Sequence, residues 1–196
     1  ITNIKTFSPK GDHNLLNALS AIAIAEAAGM NHESIASALQ KFKGLPHRCE
    51  KVVKTSNVTF YNDSKATNTG ATIAAIEGLA KNFTGKLIIL IGGKSNQDDF
   101  SKLFSLLEKI NHQLILFGES VEKIVSFSKN PENYIYVESM QSAVELSYAI
   151  SNSGDIVLLS PACSSLDMFL NFEERGDSFK KIVLELSNKI KSEVIH

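Results

Sequence analysis

The chain has 196 residues, 43% of them apolar and 21% charged, which is enough for one globular domain with a sizeable core and part of another. Its formal net charge of −1 excludes the strong field that recruits nucleic acid or an anionic membrane. No membrane-length apolar run or signal peptide is visible, and five His with two Cys and no Cys-x-x-Cys argue against structural zinc.

The first part of the chain predicts two helices. Residues 14–28 are typical of a helix, and Gly29 suits the position after it that needs a positive φ. A second, shorter helix follows, and a Leu-Pro pair ends it at a boundary near residues 43–48. Two helices cannot enclose a core, so we expect residues 1–44 to be the tail of a larger domain. Because the first residue is Ile1, we expect the chain to begin inside a longer one.

From Glu50 onward, strands and helices alternate. Two β-rich runs separated by Ser56-Asn57 predict a hairpin. Further strands are predicted at 87–91, 113–117, 134–137 and 155–160. Helices are predicted near 70–81, 99–109, 120–128, 139–151 and 176–191. This alternation indicates an α/β fold with a mostly parallel sheet and helices on both faces.

In such sheets ligands bind at the carboxyl ends of the strands. That rule selects the four segments that follow predicted strands, at 62–68, 92–99, 118–120 and 160–167.

Two segments before the sheet suit a nucleotide. Asn14 and Asn17 share a face at the N-terminal end of the first helix, where unpaired N–H groups favour phosphate, and the Asn17 amide suits an adenine edge. Arg48 follows His47 just past the linker, and its planar guanidinium favours phosphate. Taken alone, the Asn pair is better explained as capping and solvated polar residues, and Arg48 as a surface side chain beside a packed His.

The run Asn62-Asp63-Ser64-Lys65-Ala66-Thr67-Asn68 has six polar residues of seven and no Gly, which a simple turn would not need. The Asp63 carboxylate is able to accept two ribose hydroxyls, and Lys65 with Thr67 is able to hold a carboxylate. The alternative is an N-cap cluster for the next helix, with Thr67 or Asn68 as the cap.

The run at 160–167 places small residues after a buried strand, where backbone N–H groups can approach an anion and Ser165 adds a hydroxyl. Cys163 is interpreted as a small core residue, because no His lies near it in sequence. With Cys49 far away, we expect both thiols to stay reduced in a cytoplasmic protein. Gly92-Gly93-Lys94 is a weak signal by itself.

In this order, these segments resemble the Mur ligase family of peptidoglycan synthesis. The matching runs are H-N-L-L-N at 13–17, G-L-P-H-R at 44–48, N-D-S-K-A-T-N at 62–68, G-G-K-S at 92–95 with D-F at 99–100, L-S-P-A-C-S-S-L-D-M-F at 159–169, and N-F-E-E-R-G at 171–176. The branch that adds D-glutamate matches best, because sister ligases carry other residues at 64–67.

The resemblance implies three domains: one for the UDP sugar, a central one with the P-loop and magnesium ligands, and a C-terminal Rossmann-like one that brings the amino acid. The sequence contains no G-x-x-x-x-G-K-[ST] run. We therefore expect residues 1–44 to be the remnant of the central ATP-binding domain and residues 45–196 to be the Rossmann-like ligase domain. The chain alone should be inactive.

The resemblance also implies a reaction. ATP, with Mg²⁺ held mostly by upstream residues, would phosphorylate UDP-N-acetylmuramoyl-L-alanine, and the amine of D-glutamate would attack the acyl phosphate. The implied nucleotide contacts are Asn14 near the phosphates, Asn17 at adenine, Arg48 across the interdomain cleft and Asp63 at ribose. The implied D-glutamate pocket consists of Lys65, Thr67, Ser165, Leu166 and Phe172. Arg48 and His47 are the candidate catalytic residues.

One position departs from the family pattern. Asn96 stands where relatives often carry a pocket Lys, and Lys94 is the alternative cation.

Two other interpretations stay open: a stand-alone nucleotide- or amino-acid-binding module, and a sister amide ligase of the folylpolyglutamate type. The N-D-S-K-A-T-N run argues against the second. No G-x-G-x-x-G follows a strand, which argues against a Rossmann dehydrogenase. The expected partners are small-molecule substrates only, without nucleic acid or membrane, and the expected state is a monomer.

Overall fold

The computed structural model describes residues 12–81, 83, 85–95 and 99–194. Two helices come first, α1 (Asp12–Ala27) and α2 (His32–Lys41). Gly29 has a φ of +78°, which confirms the left-handed position predicted after the first helix. Asn31 caps α2, because its Oδ1 accepts the N–H of Ser34 at 2.8 Å.

A sheet of six strands follows in the described part of the chain. Its strands are β1 (Glu50–Thr55), β2 (Val58–Asn62), β3 (Leu87–Gly92), β4 (His112–Phe117), β5 (Ile135–Tyr136) and β6 (Ile156–Ala162). The accompanying helices are α3 (Thr69–Ala80), α4 (Ser101–Leu107), α5 (Val121–Val125), α6 (Met140–Ala149) and α7 (Phe172–Val194). The spatial order is β1-β2-β6-β3-β4-β5, with β1 antiparallel to β2 and every other pair parallel. The predicted α/β fold is confirmed.

The antiparallel pair is the predicted hairpin. Ser56 and Asn57 both have positive φ, +45° and +64°, as a two-residue turn of the primed type requires. The register of β1 against β2 shifts between Lys51 and Val53, which marks a β-bulge on this edge strand.

Both faces of the sheet are covered. Every residue of β3 and β6 is buried, which explains why their sequences are continuous apolar runs instead of alternating ones. Ile76 of α3, Leu103 of α4 and Ile124 of α5 belong to the core on one face. Val144 of α6 and Phe179 of α7 belong to the core on the other.

Two predicted boundaries are wrong. The strand predicted at 134–137 is only two residues long, because Ile135 and Tyr136 alone pair with β4 at the edge of the sheet. The last helix begins at Phe172, before the predicted start near residue 176, and runs straight through Gly176. A glycine inside a helix normally weakens it, so its acceptance there needs a local reason.

The segments that follow β2, β3, β4 and β6 converge at one edge of the sheet. Ser160 Oγ of β6 donates to Asp63 Oδ2 at 2.8 Å. Lys94 and Ser164 exchange backbone hydrogen bonds of 2.9 and 3.0 Å, which joins the loop after β3 to the loop after β6. The N–H of Glu119, after β4, donates to Asp167 Oδ2 at 2.9 Å. The rule that selected these four segments therefore placed them correctly.

Candidate functional site

A cavity of about 750 Å³ lies between the two N-terminal helices and the carboxyl end of β2. Its wall brings together four of the predicted site residues, Asn17, Arg48, Asp63 and Lys65. Seven of its sixteen lining residues are alanines, which have small apolar side chains: Ala18, Ala21, Ala38, Ala66, Ala71, Ala74 and Ala75. An apolar wall beside a carboxylate and a guanidinium suits a nucleoside with an attached phosphate.

Asp63 is the buried anion of this cavity, with 7% of its surface exposed. Its Oδ1 accepts the N–H of Cys49 at 3.0 Å, and its Oδ2 accepts the Ser160 hydroxyl at 2.8 Å. Burial raises the pKa of Asp63 to about 6, although these two hydrogen bonds and the charge of Arg48 act in the opposite direction. The carboxylate is thus held in one orientation and is mostly ionised at neutral pH.

Arg48 and Asn17 present their side chains to the same cavity from two different elements. Both are exposed, and both line the cavity wall. Arg48 sits in a turn, where its N–H donates to the Leu45 carbonyl at 3.3 Å. Asn14 lies in α1 one turn before Asn17, and its side chain falls outside the described part.

Lys65 lines this cavity and also contacts Phe172, at the start of α7. Its Nζ stands 3.7 Å from the centroid of the Phe172 ring, a cation–π contact. Its backbone N–H donates to the His47 carbonyl at 3.1 Å. Asn68 caps α3, because its Oδ1 accepts the N–H of Ala71 at 2.9 Å. The predicted capping role therefore belongs to Asn68, which leaves the partly exposed Lys65 and Thr67 ahead of the helix.

Ser165 and Leu166 occupy the loop after β6. Ser165 is buried, and its carbonyl accepts the N–H groups of Met168 and Phe169 at 3.1 and 2.8 Å. Leu166 is 66% exposed. Lys94 is held beside this loop by its backbone pairing with Ser164, and its Nζ lies 3.8 Å from a carboxylate oxygen of Glu119. Asn96, the other candidate for this position, lies outside the described residues.

Arg175 joins the two loops that carry the predicted D-glutamate residues. Its side chain is fully buried, and its guanidinium donates to Ser64 Oγ at 3.0 Å, the Ser64 carbonyl at 2.9 Å and the Cys163 carbonyl at 3.1 Å. The Ser64 hydroxyl in turn donates to the Phe172 carbonyl at 2.7 Å. Burial lowers the pKa of Arg175 to about 10, so it remains charged at neutral pH. No role was predicted for Arg175, because its buried contacts with Ser64 and Cys163 depend on the tertiary fold.

His47 is buried, with 7% of its surface exposed, and has a φ of +60°. Its ring lies against Phe172 and the start of α7, and its carbonyl faces Lys65. The structure therefore places it between the Arg48 linker and the Lys65 loop.

The two cysteines are free, and neither supplies a thiolate near neutral pH. Cys163 belongs to the core, as predicted, and burial raises the pKa of its thiol to about 12. Burial, together with the nearby Asp63 carboxylate, raises the pKa of Cys49 to about 12 as well.

Among the described residues, no three His, Cys, Asp or Glu side chains come together in a group able to hold a metal ion. The helices of the described part also include none that is long and apolar enough to cross a membrane.

The chain is similar to known proteins in both sequence and fold. Residues 47–163 match the family described as Mur ligase, glutamate ligase domain. The UDP-N-acetylmuramoylalanine–D-glutamate ligase of Nitrosococcus oceani is 44% identical over 176 residues, which cover 90% of this chain and 38% of that protein. The ligase of the same name from Pseudomonas syringae pv. tomato is 44% identical over 178 residues, 91% of this chain and 40% of that one. The chain spans about two fifths of the length of these curated relatives.

Solved structures share the fold. MurF from Acinetobacter baumannii superposes with a TM-score of 0.66 at 16% identity, covering 89% of this chain and 38% of that one. Folylpolyglutamate synthase from Mycobacterium tuberculosis, solved with ADP and AMPPCP, gives a TM-score of 0.65 at 16% identity, covering 87% and 40%. At such identities the likeness concerns the fold alone. With the family match extending over residues 47–163 of 196, the chain belongs to the Mur ligase family through its glutamate ligase domain.

Proposed function

We propose that the full-length protein is the ATP-dependent ligase that joins D-glutamate to UDP-N-acetylmuramoyl-L-alanine in the cytoplasm, and that this chain supplies the D-glutamate pocket and one wall of the nucleotide site. The observation that carries the proposal is the placement of Lys65, whose amine lies over the Phe172 ring and which lines the same cavity as Asp63 and Arg48. The identity of 44% to two ligases of that name supports the same substrate.

The nucleotide half of the site would work through groups already held in place. Asp63 would accept ribose hydroxyls, since its carboxylate is ionised and fixed by Ser160 and the Cys49 N–H. The alanine wall would take the adenine ring beside Asn17, and Arg48 would meet the phosphates. ATP would supply the phosphoryl group that activates the acceptor carboxylate. Mg²⁺, held mostly by residues upstream of this chain, would neutralise the charge of the ATP phosphates.

The amino-acid half of the site needs donors for two carboxylates. Lys65 and Thr67 would hold one, with a charge-assisted bond from the Lys65 amine. The Ser165 hydroxyl and the backbone N–H groups of the loop after β6, that of Leu166 among them, would hold the other. Holding the amine of D-glutamate beside the acyl phosphate makes the attack effectively intramolecular, a term worth roughly 7–11 kcal/mol at most.

We further propose that residues up to 44 complete a domain whose remainder lies upstream, and that residues 45–196 form the ligase domain. The sequence has no P-loop, and phosphoryl transfer depends on groups that hold the triphosphate. The 196-residue chain should therefore release no phosphate by itself.

The test is phosphate release by the full-length protein with ATP, UDP-N-acetylmuramoyl-L-alanine and one amino acid at a time. D-glutamate should support turnover, whereas L-glutamate and D-alanine should give background rates. Equal rates with L-glutamate, or turnover with a folate acceptor instead of the UDP-sugar, would contradict the proposal and favour a sister amide ligase.

A further inference from the structure

His47 is tied to both halves of the site through its backbone. It directly precedes Arg48, and its N–H donates to Glu50 Oε2 at 3.0 Å. Its carbonyl accepts the N–H of Lys65 at 3.1 Å. One residue therefore fixes where the linker from α2 meets the loop that carries Lys65.

The ring nitrogens of His47 both face protein groups. Asn62 Oδ1 accepts the N–H of Ser64 at 3.1 Å, which orients the Asn62 amide so that its Nδ2 lies 3.0 Å from His47 Nδ1. Since an amide nitrogen only donates, Nδ1 must accept, and the proton of the neutral ring is on Nε2. Nε2 points to Asp177, at 3.8 Å from its Oδ1. Neither nitrogen is directed at the cavity, so the ring is poorly placed to transfer a proton to a substrate.

The His47 ring contacts the Phe172 ring instead. The two centroids are 5.9 Å apart and the planes are inclined at 83°, an edge-to-face contact. The Lys65 amine lies over the Phe172 ring, 3.7 Å from its centroid. Phe172 is thus in contact both with the buried His47 ring and with the Lys65 amine.

Gly176 makes room for this arrangement. A Cβ on Gly176 would stand 2.2 Å from His47 Nδ1 and 3.0 Å from the Ser64 Cβ. No other residue type fits at this position of α7 while the imidazole keeps its place. This contact is the local reason why a glycine is accepted inside the helix.

We propose that His47 is a positioning residue. Its ring contacts the Phe172 ring and its carbonyl accepts the Lys65 N–H, and these contacts fix the D-glutamate pocket relative to the linker that carries Arg48. The inference rests on the proposed function for its substrate. It gives the candidate catalytic residue His47 a geometric role, because its ring contacts Phe172 and does not line the cavity.

The experiment uses the full-length protein and two independent variants. His47→Asn keeps a side chain tolerant of positive φ but removes the ring, and Gly176→Ala keeps the ring but displaces it. Both should raise KM for D-glutamate about tenfold or more, while kcat changes by less than about threefold and the pH profile of kcat keeps its shape. Gly176→Ala is the sharper variant, because an added methyl group should otherwise favour a helix.

Matched controls separate this effect from general damage. His112→Asn removes a partly buried His at the N-terminal end of β4, away from the carboxyl ends of the strands where the site lies. Its Nδ1 is 3.1 Å from the Ile110 carbonyl. Gly70→Ala adds a Cβ that would meet only Asn68 Oδ1, at an ordinary 3.4 Å. Neither should change KM for D-glutamate.

Three results would overturn the inference. One is an unchanged KM for D-glutamate in both variants, with or without a lower melting temperature. Another is a fall in kcat by about a hundredfold at unchanged KM, together with loss of one limb of the pH profile of kcat. That result would indicate that His47 acts in acid–base catalysis. The third is a wild-type protein that turns over no D-glutamate, which would remove the proposed function and this inference together.

Discussion

Replacing Lys65 with Ala tests the candidate amino-acid site most directly. In the described part of the chain, the Lys65 amine contacts the Phe172 ring and has no ion-pair partner, so its charge is available to a ligand. The cation–π contact is worth about 0.5–1 kcal/mol at an exposed position. A charge-assisted bond to a substrate carboxylate is worth about 1.5–3 kcal/mol. Loss of the amine should therefore weaken substrate binding more than it weakens the fold.

The assay is steady-state kinetics of the full-length protein with D-glutamate as the varied substrate. Lys65→Ala should raise KM for D-glutamate about ten- to a hundredfold, since each 1.4 kcal/mol is a factor of ten, while KM for ATP changes little. Lys65→Arg should rescue only in part, because its planar fork keeps the ring contact but misplaces the donor.

Lys54→Ala on the exposed side of β1 is the matched control and should leave both constants unchanged. If Lys65→Ala keeps the wild-type KM for D-glutamate, Lys65 is a solvated lysine beside a helix cap and the proposed pocket is wrong.

Three further predictions follow from the same site. Arg175→Met should lower the free energy of unfolding, measured with denaturant, by about 3 kcal/mol or more, because it leaves the buried Ser64 and Cys163 carbonyls without their Arg175 donor. A loss below about 1 kcal/mol would contradict a stabilising role for these hydrogen bonds. Asp63 has a pKa raised from 3.8 to about 6, so the stability that its proton confers is fully present below about pH 4 and lost as pH rises through about 6. Asp63→Asn should remove the pH dependence of the unfolding free energy between about pH 4 and 6 and raise the unfolding free energy at pH 7.5 by up to about 3 kcal/mol, while nucleotide affinity falls. An unchanged pH dependence of stability would contradict a pKa of Asp63 raised by burial. Arg48→Ala, in the full-length protein, should lower kcat far more than it changes KM for D-glutamate, and unchanged turnover would make Arg48 an ordinary surface residue.

Local signals in the sequence predicted the elements well. The positive φ of Gly29, the Ser56-Asn57 turn and the buried runs of β3 and β6 each depend on a few neighbouring residues, and all are confirmed. The convergence of four loops at one sheet edge followed from the parallel topology alone.

The features that were missed depend on contacts between distant residues. Arg175 is 111 residues from Ser64, and nothing near it in sequence indicates that its guanidinium would be buried under two loops. The start of α7 was predicted near residue 176 and lies at Phe172, and the close approach of the His47 ring to Gly176 is a contact that the local sequence does not indicate. The contact between Lys65 and Phe172 likewise joins the loop after β2 to the start of α7, and neither sequence motif indicates that the two are in contact.

The two outer strands of the sheet have a consequence for how the chain behaves in concentrated solution. An open strand edge is a template on which another molecule can add a strand, and so a route to fibrils. β1 is interrupted by its bulge and directs the exposed Lys51 and Lys54 to solvent, while β5 offers only two residues for pairing. Neither edge gives an incoming strand a flat, uncharged stretch to extend. We therefore expect molecules of this chain not to associate by pairing of their edge strands, even though the chain carries only part of the length of its relatives.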